Sequence, residues 1–378
     1  MSHNSLQIIQ IDPNNRRQVK QFLGLPFRLY KDVPQWVPPL RMDARLVFNQ
    51  NKHPFYKRGE AAFFIAVQDG SRLRGRLAVL NDRSYNAYNK TRTGFFYLFE
   101  CENDEAVADG LFSAAFTWAI GRGLDCIYGP KGFSLFDGLG ILVRGFERRP
   151  AFGLPYNLPY YPDLIEKQGF VSVGDSVSGY LDDSMRFPDK IFQISDLIKE
   201  RRGLRVPLLK NRRDLKAVIP KLKELYNSSI MDMPGNAPIS DEDIQAIANQ
   251  MLWFADPHLI KLVMKGDQPV GFLLAYPDIS AAVQRTGGRL LPFGWIDLLL
   301  ELRRTKWINI NGAGMTSGFR GLGGTALLFS EMYKSVSESR YRFADIVQVG
   351  EENDKMQREM RDLGIDFYKA HRIYEKKL

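Results

Sequence analysis

Histidine and cysteine are scarce here, four and two residues in a chain of 378. Two thiols, Cys101 and Cys126, cannot make a disulfide framework. With the histidines scattered as well, no structural zinc site and no other metal is expected. Long apolar runs are also missing. No window approaches the ~18 consecutive apolar residues that a membrane span needs, and the most apolar stretch, Leu290 to Leu302, is interrupted by Asp297 and Glu301. No basic segment followed by an apolar core opens the chain, so no secretory signal is expected and a cytoplasmic location is the default.

The residues that are present read as globular. The hydrophobic share of 44% rules out a disordered chain, and the length suits two domains of moderate size. A formal charge of +9 raises the local concentration of anionic ligands, whether nucleic acid, anionic lipid or a phosphorylated cofactor. The runs Lys199-Glu200-Arg201-Arg202 and Lys210-Asn211-Arg212-Arg213 read first as solvated faces and linkers. No recognition motif accompanies the charge, so nucleic acid is not an expected partner.

The chain repeats itself. Phe63 to Asp82 (FFIAVQDGSRLRGRLAVLND) aligns without a gap on Leu259 to Asp278 (LIKLVMKGDQPVGFLLAYPD), with Gly75 on Gly271. Each reads as two strands joined by a short Asp-Gly or Gly-Asp turn, a β-hairpin. Further on, Tyr161 to Leu181 resembles Met356 to Leu378: a short amphipathic helix runs into Gly169-Phe170 or Gly364-Ile365 and then a terminal strand. Two matching landmarks in one order point to a duplicated domain. Between them each half shows strand, helix, strand. These are Thr93 to Cys101, Glu105 to Arg122 and Asp125 to Tyr128 in the first half, and Trp307 to Asn311, Gly323 to Glu338 and Ala344 to Val349 in the second. An opening helix is expected from about Asn15 to Leu23, ahead of a Pro-rich loop at 34–39. The inserts are Lys131 to Pro155 and a helical Ala281 to Thr305. The expected boundaries are 1–185, a basic linker at 186–215, and 216–378.

From Asn311 to Leu328 a strand enters a Gly-rich turn and leaves as an apolar helix. Glycine lets backbone N–H groups approach a phosphate, and the helix N-terminus adds unpaired donors and a partial positive charge. A tight turn with no ligand explains the same local pattern equally well.

The order hairpin, strand, R-G-x-G loop, helix, strand, Glu-Asn and a short helix ending in Leu-Gly resembles the GNAT acyl-CoA N-acyltransferase superfamily. FRLYKDVPQWVPPL at 27–40, YNLPYYPDLIEKQGF at 156–170 and MLWFADP at 251–257 resemble a bacterial branch with two GNAT-like halves. The resemblance implies an α/β (α+β) fold of two tandem units, each a mixed, mostly antiparallel sheet flanked by helices. It implies acetyl-CoA or a longer acyl-CoA as co-substrate and a small-molecule or peptide amine as acceptor, bound between the halves. The superfamily loop is Gln/Arg-x-x-Gly-x-Gly/Ala; Arg320 and Gly323 match it, and Thr325 takes the last position. The CoA contacts implied are Met315, Ser317, Arg320, Gly321, Gly323, Gly324 and Thr325, with Asn353 at the pantetheine arm. In the first half the equivalent segment runs from Glu100 to Glu105, whose four carboxylates would repel a diphosphate; this half is expected to have lost CoA binding.

Amine attack on a thioester needs two placed substrates, an oxyanion donor and a route for a proton. By resemblance, backbone N–H groups near Gly314 and Met315 hold the thioester carbonyl. Glu352 is a candidate base, although a carboxylate at a helix N-terminus is explained by the dipole alone. Many superfamily members use a Tyr as general acid where Met360 stands here, so Tyr374 is the candidate replacement. Glu100, Tyr156, Asn157, Tyr160 and Tyr161 are candidates for the substrate cleft, with aromatic packing as the plainer account. Leu290 to Leu302 reads as a cover for an acyl chain or, more simply, as an amphipathic core helix. Two further readings stay open. One is a catalytically degenerate GNAT-like binding or scaffold protein, favoured by Thr325 and Met360. The other is a Fem-like aminoacyl transferase, which would require a tRNA-binding basic face.

Overall fold

The computed structural model describes residues 5–134, 137–182, 184, 187–230, 237–320, 323–351 and 353–378. The first half contains β1 (Leu6–Gln10), α1 (Arg16–Leu29), α2 (Arg41–Leu46), β2 (Gly59–Gln68), β3 (Arg72–Asp82), α3 (Arg83–Asn89), β4 (Thr93–Cys101), α4 (Glu105–Ile120), β5 (Cys126–Gly129), β6 (Ile141–Arg144), α5 (Tyr161–Glu166) and β7 (Val171–Asp182). The second contains α6 (Asp189–Arg202), β8 (Leu204–Arg205), α7 (Arg212–Ile230), α8 (Asp241–Phe254), β9 (Ile260–Lys265) and β10 (Gln268–Pro277). It continues with α9 (Ser280–Thr286), α10 (Gly294–Arg304), β11 (Trp307–Met315), α11 (Gly324–Ser337), β12 (Phe343–Gly350), α12 (Asp354–Asp362) and β13 (Asp366–Lys377).

Local chemistry sets most of these bounds. Asn15 accepts hydrogen bonds from the N–H groups of Arg17 and Gln18, which starts α1. The helix then runs through Pro26 to Leu29, past the expected end, because Phe22, Leu25 and Pro26 are buried on one face. Asp104 caps α4 in the same way, accepting from Ala106 and Val107. The hairpins β2–β3 and β9–β10 form where the repeat places them.

The strands form one sheet in the order β1-β2-β3-β4-β5-β13-β7-β12-β11-β10-β9-β8, with β6 beside β13. The two halves do not keep their last strands. β13, from the second half, pairs with β5 of the first over Tyr374–Lys377, while β7, from the first, pairs with β12 of the second. β7 and β13 pair with each other between them, so the sheets of the two halves are fused into one. Similar terminal strands, both reached from a short helix and a Gly-apolar pair, make the exchange sterically equivalent to pairing at home.

Separate cores lie under the two ends of this sheet. One gathers residues from Ala62 to Phe170 with Tyr374, chiefly under α4; the other gathers residues from Leu181 to Ile365 under α6 and α11. Among the described residues, the stretch expected as a basic linker carries α6, β8 and the start of α7 instead. Its α6 buries Ile198 in the second core, and its charged residues occupy the outer face, as for any amphipathic helix. α7 covers the opposite face of β9 and β10, with Leu225 packed against Leu262, Met264 and Phe272.

Candidate functional site

Among the described residues, all strand pairings are antiparallel except β4 with β5 and β11 with β12. Each parallel pair is short. β4 and β5 pair only over Thr93–Phe95 and Cys126–Tyr128, and β11 and β12 only over Trp307–Ile310 and Phe343–Ile346. Beyond these points the strands part. A bulge accompanies the parting in both halves: Leu98 and Phe99 together oppose the single Leu77 of β3, and Asn311 and Gly312 together oppose the single Leu274 of β10. Leu98 adopts φ 52°, and Gln348 on β12 adopts φ 46°. Side chains with a Cβ rarely hold such angles. A positive φ within a strand re-aims the residues beyond it.

The opening in the first half leads into a cavity of about 290 Å³. Its walls are Tyr97 to Glu100 of β4, Pro26 of α1 and Tyr30 at its C-cap, the loop from Trp36 to Leu40, and the segment from Phe152 to Asn157. Phe254 and Tyr276 reach it from the second half. A smaller recess of about 30 Å³ shares Asp137, Gly138, Phe152, Gly153, Leu154 and Tyr276 with the cavity and adds Asn311, Val347 and Gln348, which stand where β11 and β12 part. The openings of the two halves therefore adjoin at Asp137 and Tyr276. Gln348 holds this junction by accepting from the Leu139 N–H at 3.0 Å and donating to the Leu139 carbonyl.

Among the described lining residues the charged ones are Asp43, Arg76, Glu100 and Asp137, three acids and one base. Glu100 accepts from the Tyr30 hydroxyl at 2.6 Å and the Tyr161 hydroxyl at 2.8 Å, with Arg76 3.5 Å away. Burial raises its carboxyl above the usual range, and Arg76 and the two tyrosines pull against that rise. Asp137 faces the junction and has no guanidinium beside it among the described ion pairs. Burial raises it to about 6, although backbone N–H groups of Ser134 and Phe133 favour its charged form.

On the second half, β11 ends at Met315 and a single 3₁₀ turn, Ser317–Phe319, leads towards α11. Three amides of this loop are bonded within the protein: Thr316 to Val270, Phe319 to Thr316 and Arg320 to Ser317. The Arg320 guanidinium donates to the carbonyls of Met315, at 3.1 Å, and Ser229. The amides of Phe319 and Arg320, two of the donors expected between Ser317 and Thr325, are thus already bonded within the protein, and the candidates left include the amides of the first turn of α11, which have no intrahelical acceptor. Gly323 caps that helix at φ 83°, and a Cβ there would lie 2.1 Å from Ile198 Cδ1. Only glycine permits this approach of α11 to α6. At the matching place in the first half the chain supplies its own anions. Asp104 caps α4, and Glu102 is held by Arg28, Arg72 and Arg74.

Solved structures with this arrangement include GNAT proteins. A tandem GNAT protein from the clavulanic acid biosynthesis pathway superposes with a TM-score of 0.57 over 99% of this chain and 98% of its own, at 12% identity. The chain has a tandem GNAT fold. A GCN5-related N-acetyltransferase from Sphaerobacter thermophilus covers 98% of this chain with 95% of its own, at TM-score 0.51 and 12% identity. No family model matches. Among curated proteins, the Bacterial ceramide synthase of Caulobacter vibrioides is 27% identical over 374 residues, spanning 96% of this chain and 95% of its own. Protein YghO of Escherichia coli is 25% identical over 375 residues, spanning 96% and 94%.

Within the tandem GNAT fold the residues singled out from the sequence fall in different places. Met315, Ser317, Arg320, Gly323, Gly324 and Thr325 gather at the end of β11 and the start of α11. Gly321 and Glu352 lie outside the described residues. Asn353 accepts from the Met356 N–H and caps α12. Tyr374 does not reach the cavity: its ring is buried in the first core and its hydroxyl donates to Glu166 at 2.9 Å. The exchange of β13 carries it there, which the sequence order alone does not reveal. Glu100, Tyr156 and Asn157 line the cavity. Tyr161 sits behind Glu100, and Tyr160 donates to the Cys101 carbonyl at 2.7 Å. The Asn157 amide brackets Leu142, accepting from its N–H at 2.6 Å and donating to its carbonyl at 3.1 Å, so it fixes β6. Asp137, Arg76, Asn311 and Gln348 were missed. The signal for Asp137 was an acid amid glycines and aromatics in the Lys131 to Pro155 insert.

Proposed function

We propose that this protein transfers an acyl group from acyl-CoA, held by the second half, to the primary amine of a long-chain amphiphile lying in the cavity of the first half. The observation that carries the reading is the charge of that cavity. Three acids and one arginine line it, inside a chain whose formal charge is +9. A low-dielectric, net-negative cleft favours an ammonium over a carboxylate or phosphate ligand. Trp36, Val37, Pro38, Pro39, Leu40 and Phe152 make the remaining wall suited to an alkyl chain. The relative named Bacterial ceramide synthase supports the same substrate class, since a ceramide is an N-acylated long-chain amino alcohol.

The acyl-CoA brings the activated thioester. Its pyrophosphate is assigned to the first turn of α11, whose N–H groups lie along the helix axis at its N-terminal end, with Arg320 on the loop that leads to it. Exchange of two neutral carbonyl acceptors for a phosphate would strengthen the hydrogen bonds of the Arg320 guanidinium. The first half has no such opening for a second CoA, because Glu102 and Asp104 take that position. Asp137, at the junction of the two openings, takes one proton from the bound ammonium and so frees the nitrogen lone pair; with its carboxyl near 6 it is mostly ionised at neutral pH. The amine nitrogen then attacks the thioester carbon, the N–C bond forms, the C–S bond breaks, and the second proton of the nitrogen passes to the sulfur, so CoA leaves as a thiol. Glu100, braced by Tyr30 and Tyr161, holds negative charge deeper in the cavity and positions the acceptor. Tyr374 has a packing role.

The test is product analysis by mass spectrometry after incubation with palmitoyl-CoA and either sphinganine, hexylamine or a long-chain alcohol without an amine. N-acylated sphinganine with little product from the other two is the expected result. Equal turnover of hexylamine would remove the long-chain reading, and CoA release with none of the three, from folded protein, would favour a scaffold.

A further inference from the structure

α10 presents an unusual surface. Leu298 is buried against Ile279, Ala282 and Val283 of the α9 region, as an amphipathic helix requires. The opposite face is apolar as well. Leu291, Phe293, Trp295, Ile296, Leu299 and Leu300 expose 74, 73, 44, 40, 42 and 37% of their surfaces. The i, i+4 spacing stacks Trp295, Leu299 and Arg303 in one row and Ile296, Leu300 and Arg304 in the next. The two acids of the helix are withdrawn from this face: Arg285 of α9 binds Asp297 at 2.9 Å and Glu301 at 2.5 Å. Arg289, Arg303, Arg304 and Lys306, all exposed, flank the apolar rows.

We infer that this face docks the protein on an anionic phospholipid surface, with α10 lying in the interface plane. Exposed aromatic and aliphatic side chains ringed by cations, without acids of their own, are complementary to a bilayer whose headgroups are negative. The position in the fold supports the lipid. α9 and α10 pack on Val37, Leu40 and Phe152, which also line the cavity, and Gln284 of α9 donates to the carbonyls of Pro34 and Trp36 at 2.8 and 2.9 Å. The docking face is therefore continuous with the wall of the cavity. A long-chain ligand drawn from a membrane would enter beside it without crossing water.

The experiment is flotation of the full chain, without acyl-CoA, with vesicles of phosphatidylglycerol and phosphatidylcholine in equal parts, and with vesicles of phosphatidylcholine alone. Two multiple variants accompany it: Phe293→Ser with Trp295→Ser and Leu299→Ser, and Arg303→Glu with Arg304→Glu. All substituted side chains are solvent-exposed, and thermal unfolding checks that each variant is folded. Binding to the anionic vesicles is expected to weaken on the order of tenfold or more on neutral vesicles, at high salt, and in either variant. The inference is overturned if the folded parent floats with neither vesicle, or if both variants float as it does. It is also overturned if ultracentrifugation finds a dimer that the apolar variant abolishes. None of these readings depends on acyl transfer, so a failure here leaves the proposed reaction standing.

Discussion

Asp137→Asn should make the protein more stable and less active at once. The carboxyl titrates near 6 in the folded chain because burial disfavours its charged form, against a reference of 3.8. A raised folded value means that the native state keeps a proton which the unfolded chain releases between about pH 4 and 6. Stability therefore falls as pH rises through that window, and the cost persists at neutral pH. A shift of roughly two units corresponds to about 3 kcal/mol; discounted for the contact of Asp137 with the cavity, roughly 2 kcal/mol is a fair expectation. Asparagine carries no charge to desolvate and keeps an oxygen for the Ser134 N–H, which the aspartate accepts at 2.9 Å. Urea unfolding of parent and variant at pH 4, 5, 6 and 7, differenced at each pH, isolates this group from Asp345, which burial also raises to about 6. The variant should match the parent near pH 4 and gain on it progressively up to pH 7. Its kcat should drop by roughly 10²–10⁴, the usual loss with a general base. A difference that is flat with pH, or a variant less stable at pH 7, would refute the placement of Asp137 as a desolvated carboxylate.

Other substitutions separate binding from chemistry. Glu100→Gln keeps an acceptor for Tyr30 and Tyr161 but removes the charge; it should raise KM for a long-chain amine by roughly tenfold and leave kcat nearly unchanged, about 1.4 kcal/mol of ground-state binding. Equal losses in both parameters would make Glu100, not Asp137, the group acting on the reacting atoms. Gly323→Ala should destabilise the chain by roughly 1–3 kcal/mol in denaturant unfolding, from its left-handed φ and the approach to Ile198; an unchanged midpoint would mean that α11 and α6 are not packed as described. Asn157→Ala should cost roughly 1–3 kcal/mol, because the N–H and carbonyl of buried Leu142 lose their partner; no change would assign that bracket to solvent.

The sequence made the fold legible where chemistry is local. The β2–β3 and β9–β10 hairpins, the strand at Thr93–Cys101 and the helix beginning at Glu105 come from alternation, turn residues and the helical spacing of apolar side chains. Terminal strand exchange was not legible, because β7 and β13 carry similar patterns and neither encodes its partner. The bulges were hidden for a different reason. Gly312 is an ordinary signal for irregular backbone, but its structural counterpart in the first half is Leu98, whose side chain argues against φ 52°. The candidate site was read from the Gly-rich loop, a contiguous motif, and from Glu100 and the Tyr156 to Tyr161 cluster, of which Glu100, Tyr156 and Asn157 line the cavity. The cavity is assembled from α1, β4, the Pro-rich loop, the Lys131 to Pro155 insert and two residues of the other half, so its charge balance becomes visible only after folding. Tyr374 shows the converse: a plausible side chain on a last strand, carried into another core by the exchange.

Calorimetric titration with palmitoyl-CoA tests most directly whether the second half alone holds the acyl donor. The parent should bind one equivalent, Arg320→Glu should lose measurable binding, and Glu102→Ala should bind as the parent does. Two equivalents, or binding that survives Arg320→Glu and disappears with Glu102→Ala, would contradict the account and put the donor in the first half.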